Sequence, residues 1–430
     1  MRSDRAGATL PALHAGVRYP PSLRPTNEEG HGRMKKGKLS VLLAVAAMLM
    51  AMLALSGTAL ALPSEKPDDT PEVDGRVRTI EQVGTNVWVG GNFSKVRQPK
   101  GPEVAVSNVA VFNSVTNRYV PIAPKLGDKS STVWDMAPYG ETGNLLIAGK
   151  FPGPSSKEGN LLLVDGKSGK VLRWYEEPPE LRSVLAAAGR GMVYGGGRSL
   201  SAFEFATGKK LWTRAETSVN KNIPRVHKLH PRYHDLVLDG KTIWAACVCD
   251  AVNGNPAEAL VKLSITGVHD ASWVAKAWRM AVGHSVVEAN GALYLGAGGS
   301  DFLAEFSKKS GNPNWVRDTS GSTQGVAVMG GQLVIGGHFW EVADQAGDSC
   351  GVKRSAPTLD PNDECRTRKG IAAYSFDGRL DPNWAPEYSG GYHLVWALHV
   401  EGTRLHTGGQ FKQVSGVPQN SYARLSTPQK

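Results

Sequence analysis

A short apolar stretch closed by two small residues recurs seven times, and no other feature constrains the fold as much. Its fullest form is Val87-Trp88-Val89-Gly90-Gly91-Asn92-Phe93; Gly336-Gly337-His338-Phe339 and Gly408-Gly409-Gln410-Phe411 are close copies, and Ala148-Gly149-Lys150-Phe151 is a looser one. The pairs Gly195-Gly196, Ala245-Ala246 and Gly296-Ala297 complete the series. Successive first members lie 58, 47, 50, 51, 40 and 72 residues apart, the spacing of repeated supersecondary units. After each pair comes a third apolar stretch, such as Val109-Ala110-Val111-Phe112 or Ile371-Ala372-Ala373-Tyr374, then a glycine turn such as Thr207-Gly208-Lys209. A fourth stretch carries an aromatic: Trp174, Trp212, Trp273, Trp315 or Trp384, with Tyr119 in the first unit. Four strands per unit and seven units predict an all-β chain, a seven-bladed β-propeller of four-stranded antiparallel blades over residues 74–430. The small pairs are expected where inner strands crowd the axis, a packing role.

The seventh unit ends at Leu425 without a fourth strand. Residues 62–73, rich in Pro, Asp and Glu, are read as a linker or as the strand that closes the ring and removes a sheet edge. Ahead of them, Met34-Lys35-Lys36-Gly37-Lys38, the apolar run 39–55 and Ala59-Leu60-Ala61 have the order of a secretory signal peptide over residues 34–61. The alternative is an anchor retained in the membrane over residues 39–55. Residues 1–33 have no apolar periodicity and read as a mis-assigned extension before a start at Met34, or as a long basic region. The formal charge is +10, and half of it lies in residues 1–61. No Lys/Arg run with interleaved aromatics is present, so no nucleic-acid partner is expected.

The form V-x-V-G-G-x-F, then A-x-[FL], then T-G-x-x-x-x-W resembles the delta-sixty repeats of secreted bacterial β-propellers, most closely from Gly336 to Trp384 and from Leu394 to Leu425. That resemblance implies a fold and carries no catalytic residues with it. Leu200-Ser201-Ala202-Phe203 with Thr207-Gly208-Lys209-Lys210-Leu211-Trp212 is similar to the tryptophan-docking repeat of quinoprotein propellers. Those enzymes typically have eight blades and a disulfide between adjacent cysteines. This chain has seven repeats and Cys247-Val248-Cys249, so no cofactor is predicted.

With strands lettered A to D outward from the axis, alternation puts the B–C loops and D–A connections on one face. The longest insertion, from Trp340 to Lys369, falls there, and function on rigid scaffolds rides on such loops. His234, His284 and His393 come just before strand A of units four, five and seven, and Gln324 holds that place in unit six. Trp134 and Asp135 in unit two and His338 in unit six lie on the same face. These seven residues are the candidate ligand site at the channel mouth, for an acidic ligand or a metal, although no metal is assigned. The plainer reading is that each histidine is hydrogen-bonded filler. His227, His230 and His234 form a local group interrupted by Pro231, and Asp360-Pro361-Asn362-Asp363-Glu364 is an acidic loop without full calcium-loop spacing; both read as solvated surface.

Four cysteines behind a signal peptide predict two disulfides. Cys350–Cys365 within the unit-six insertion is the favoured bridge. Cys247 and Cys249 are then left to bridge each other, to remain thiols, to bind a soft metal or to pair with the insertion. With no nucleophile elbow, phosphate loop or zinc-protease motif, the leading expectation is a secreted, monomeric, non-catalytic propeller. It would bind a protein or glycan through its B–C face. The alternatives are an extracellular enzyme, a polysaccharide hydrolase or lyase or an oxidoreductase, working at the channel mouth, and a purely structural envelope protein.

Overall fold

The computed structural model describes residues 62–155, 158–176, 178–219, 230–276, 282–344, 350 and 365–427. The expectations for residues 1–33 and 34–61, including the anchor over 39–55, for His227 and for the loop 360–364 lie outside the described residues. Among those described, the helical segments are two single 3-10 turns, Gly140–Thr142 and Ala188–Arg190. The rest is antiparallel strand and loop. No helix among these residues is long and apolar enough to cross a membrane.

Seven antiparallel sheets carry the repeats. Each begins with a strand that is half-buried: Arg76–Val83, Thr132–Pro138, Ser183–Ala187, Arg232–Asp239, Val282–Ala289, Thr323–Met329 and Val395–Glu401. The second strand of each bears the small pair. Each first strand lies against the first strand of the next sheet, and that of the seventh lies against that of the first. The second, third and fifth sheets have a four-strand ladder. In the first, fourth and sixth, the outermost segment meets the third strand at one bridge, Phe112 to Tyr119, Leu263 to His269 and Tyr374 to Leu380. In the seventh, the amides of Ser64 and Asp68 donate to the carbonyls of Ser426 and Arg424, at 3.1 and 2.8 Å.

The core lies between neighbouring sheets, which is why alternate residues on both faces of most strands are apolar. Trp88, Val109 and Val111 of the first sheet pack with Val133, Ile147 and Leu162 of the second. Val77, Ile80 and Val89 of the first pack with Ala397 and Tyr422 of the seventh. The glycine pairs sit at these seams. A Cβ on Gly90 would stand 2.5 Å from Val133 Cγ1, and one on Gly408 would stand 2.2 Å from Val77 Cγ1.

The B–C connections, read from sequence as irregular insertions, include ordered hairpins. Lys95–Arg97 with Glu103–Ala105, Ala251–Val252 with Asn255–Pro256, and Gln413–Val414 with Val417–Pro418 each pair with the segment leading into their own sheet. Glu341–Ala343 pairs with Cys365–Thr367, and Thr319 bridges to Val342. Pairing satisfies backbone groups that an irregular loop would leave to water. Cys350 is bonded to Cys365 inside this last insertion, and Cys247 is bonded to Cys249.

Candidate functional site

Six of the seven first strands carry a β-bulge at the same level. The extra residue is Arg78, Trp134, His234, His284, Gln324 or Trp396. A bulge turns a side chain out of the alternation of its strand. Here it sends all six into one cavity of about 700 Å³, which Arg182, just before the unbulged first strand of the third sheet, also lines. Because each bulge lies at the start of its strand, the cavity opens on the face of the B–C hairpins.

The bulged side chains form a stacked belt. The Arg78 guanidinium lies 4.6 Å from the centre of the Trp134 ring and 3.8 Å from that of Trp396. Arg182 covers Trp134 at 3.5 Å. His234 and His284 stack at 5.1 Å with planes 6° apart, and His284 meets Trp396 edge-on at 5.9 Å. Parallel stacked imidazoles cannot turn their in-plane lone pairs toward one ion, so these two histidines do not make a chelate. His393 lies 5.6 Å from Trp396, outside the residues that line the cavity, and clusters with His338 and Tyr392. The three histidines singled out in the sequence therefore do not converge on one point. Among the described residues no group of three or more His, Cys, Asp or Glu is placed to hold a metal ion.

Charge is layered. At the mouth, four guanidinium groups gather: Arg76, Arg78, Arg182 and Arg232. Arg76 donates to Gln410, Arg182 pairs with Glu180, and Arg232 donates to His234 Nε2 at 3.1 Å. That last bond leaves the His234 Nδ1 hydrogen for the Gly283 carbonyl at 3.0 Å, so His234 is a neutral, saturated brace. Arg78 is different. It is 9% exposed, and its Nε and Nη1 have no hydrogen-bond partner. Loss of water, and then repulsion from Arg76, Arg182 and Arg232, pull its pKa far below the ordinary arginine value. Gln324 Oε1 and His284 Nδ1 are also buried without partners.

Below the belt lie Glu81, Asp135 and Asp235. Withdrawal from water pushes Asp135 and Glu81 up to about 8 and raises Asp235. Both aspartates are structurally engaged. Asp135 accepts from the amides of Met136 and, in the next sheet, Val184, at 2.9 and 2.8 Å. Asp235 accepts from Leu236 and, in the next sheet, from the Ser285 hydroxyl and the Val286 amide, at 2.8, 3.0 and 2.9 Å. They tie neighbouring sheets together, with both carboxylate oxygens of each engaged.

Burial, and then the charges of His338, Arg232 and Arg78, hold His284 down to about 3. Its neutral form is the native one, so the stability it contributes is present above pH 6.5 and is lost as pH falls toward 3. The stability of the native chain relative to a His284→Asn variant is expected to fall by about 2 kcal/mol between pH 7 and 4, allowing for screening by water in the cavity. Denaturant unfolding of both chains across that range measures it.

Over residues 73–350 the chain matches the family PQQ_2, described as outer membrane protein assembly factor BamB. No curated protein shows a match. Among solved structures, the computationally designed Ika8 protein is similar at 10% identity and a TM-score of 0.50, over 84% of this chain and 99% of that one. BamB from Moraxella catarrhalis is similar at 11% identity and a TM-score of 0.46, over 79% and 97%. At such identity a structural likeness concerns fold alone. The family match spans well over half of the chain, including the first five sheets and the start of the sixth, and on it the chain belongs to the BamB family of β-propellers.

Proposed function

We propose that the chain is a secreted, non-catalytic seven-bladed propeller that binds a partner protein through the face carrying the B–C hairpins. Each of the seven sheets is read as a four-stranded blade. The single-bridge segments in the first, fourth and sixth serve as worn outer strands, and residues 62–70 serve that role in the seventh. Two disulfides accord with an oxidising, extracytoplasmic location. The family's description, an outer membrane protein assembly factor, favours a protein over a glycan. The delta-sixty form of the last two units falls mostly beyond the matched span, so the two resemblances describe different parts of one ring.

The observation that carries the reading is the belt of bulged side chains, which presents arginine and indole groups without hydrogen-bond partners to the cavity, with the cavity's carboxylates in the layer below. An enzyme at the channel mouth would draw on Asp135, Asp235 or Glu81; backbone amides occupy the two aspartates, and Glu81 lies below the belt with its carboxylate 3.6 Å from His399. The test uses a photo-crosslinking amino acid placed, one position at a time, in cells that make the protein. Trp340 and Tyr392, 50% and 74% exposed, represent the hairpin face; Val115, 69% exposed, represents the opposite face. The expected result is a discrete protein adduct from positions 340 and 392 and none from 115. Equal adducts from all three, or adducts from 115 alone, would overturn the assignment.

A further inference from the structure

The partner's chemistry is written in what the cavity lacks. Arg78 is packed against the rings of Trp134 and Trp396, 4.6 and 3.8 Å from their centres, which offer its N–H donors no acceptor atom. Two of those donors are buried and unpaired. An uncompensated buried guanidinium is costly; Arg182 and Arg232 line the cavity with it, and the cavity's carboxylates, Glu81, Asp135 and Asp235, lie in the layer below and form no ion pair with it. Water alone is a poor substitute for the planar, two-oxygen acceptor that a guanidinium edge matches. The same cavity holds an unpaired acceptor, Gln324 Oε1, on a side chain only 4% exposed. A ligand that fills both needs carries a carboxylate for Arg78 and an N–H for Gln324. An acidic side chain beside a peptide bond has both.

We propose that the channel mouth is a carboxylate-recognition site that takes an acidic side chain of a peptide segment, with Arg78 as the anchor, Gln324 receiving a peptide N–H, and Arg182 supporting from above Trp134. The proposal deepens the partner-binding reading and rests on it for the origin of the peptide. A free dicarboxylate would satisfy the arginines and leave Gln324 unpaired. Inorganic phosphate is tetrahedral, and its P–OH would have to reach Gln324 while its other oxygens face Arg78.

Trp134 and Trp396 make the site fluorescent, so binding is read as quenching. The probes are acetyl-Gly-Glu-Glu-Gly-amide, its glutamine analogue, glutarate and inorganic phosphate, titrated into the chain beginning at Leu62. Saturable quenching by the acidic peptide is expected. The glutamine analogue and glutarate should bind at least about tenfold more weakly. Arg78→Gln should cost the acidic peptide tenfold or more, Arg182→Gln less, and Gln324→Leu should weaken the peptide while leaving glutarate unchanged. If Arg78→Gln does not fold, as judged by near-ultraviolet circular dichroism, the other two variants decide. Equal affinity for acidic and glutamine peptides would overturn the proposal. So would tighter binding of phosphate or glutarate than of the acidic peptide, or unchanged affinity in folded variants. Since positions 340 and 392 lie outside the cavity, crosslinks that persist when the peptide fails to bind would leave the partner reading standing and remove the carboxylate.

Discussion

Replacing Asp68 with alanine is expected to lower the stability of the folded ring by about 2–3 kcal/mol. Asp68 Oδ2 accepts from Arg424 Nε at 2.5 Å and from the Ser426 hydroxyl at 2.6 Å. Arg424 is 7% exposed, so removing the carboxylate strands a buried charge whose remaining bond is to the Ser114 carbonyl. The figure is set below that of a fully buried pair because Asp68 is 25% exposed. Around it, the Trp384 indole donates to the Pro63 carbonyl at 2.9 Å, the Ala385 amide to Glu65 at 2.7 Å and the Ser415 hydroxyl to the Glu65 carbonyl at 2.8 Å. Deleting residues 62–70 removes all of these and bares the edge of the last sheet. That chain is expected to lose its cooperative transition and to aggregate. Thermal unfolding followed by circular dichroism checks both, with Lys66→Ala, at an exposed position, as a control expected to stay within about 0.5 kcal/mol.

Gly408→Val should be as damaging, about 3 kcal/mol, because the seventh and first sheets approach too closely there for any side chain. Its Cβ would meet Val77 Cγ1 at 2.2 Å and Ile80 Cδ1 at 3.1 Å, both in the first strand of the first sheet. Neither can retreat, since the far side of that strand is packed against the second sheet. Gly189→Ala is the matched control: nothing lies within 4 Å of its Cβ and its φ is not left-handed. Equilibrium denaturation of the two variants should separate by more than 2 kcal/mol if the ring closes at this seam.

These two seams show what the sequence makes legible. Small pairs mark every second strand because space is short there. The first member faces the neighbouring sheet, as Gly90 faces Val133 and Gly408 faces Val77, and the second crowds the bulged strand of its own sheet, as Gly91 does at the Arg76 carbonyl. Ala245-Ala246 shows that the fourth unit has room for a Cβ. The site is less visible because the bulge position fixes a place and not a residue type. It holds arginine, tryptophan, histidine or glutamine as the sheet changes. His234, His284, Gln324 and Trp134 stand out as polar or aromatic residues ahead of an apolar strand. Arg78 and Arg182 look like ordinary surface cations, and in the seventh unit His393 drew attention while the bulge falls three residues later, at Trp396. A signal was there. Arg78, His284, Gln324 and Trp396 each precede the first glycine of their unit by twelve residues. Simple alternation hides this register, since a bulge shifts parity.

The most direct test is a crystal structure of the chain from Leu62 in complex with acetyl-Gly-Glu-Glu-Gly-amide. A glutamate carboxylate within hydrogen-bond distance of the Arg78 guanidinium, lying between the levels of Trp134 and Trp396 and with a peptide N–H on Gln324, is the predicted result. Peptide bound on the opposite face or at the outer rim of the sheets, with the cavity holding only water, would contradict it.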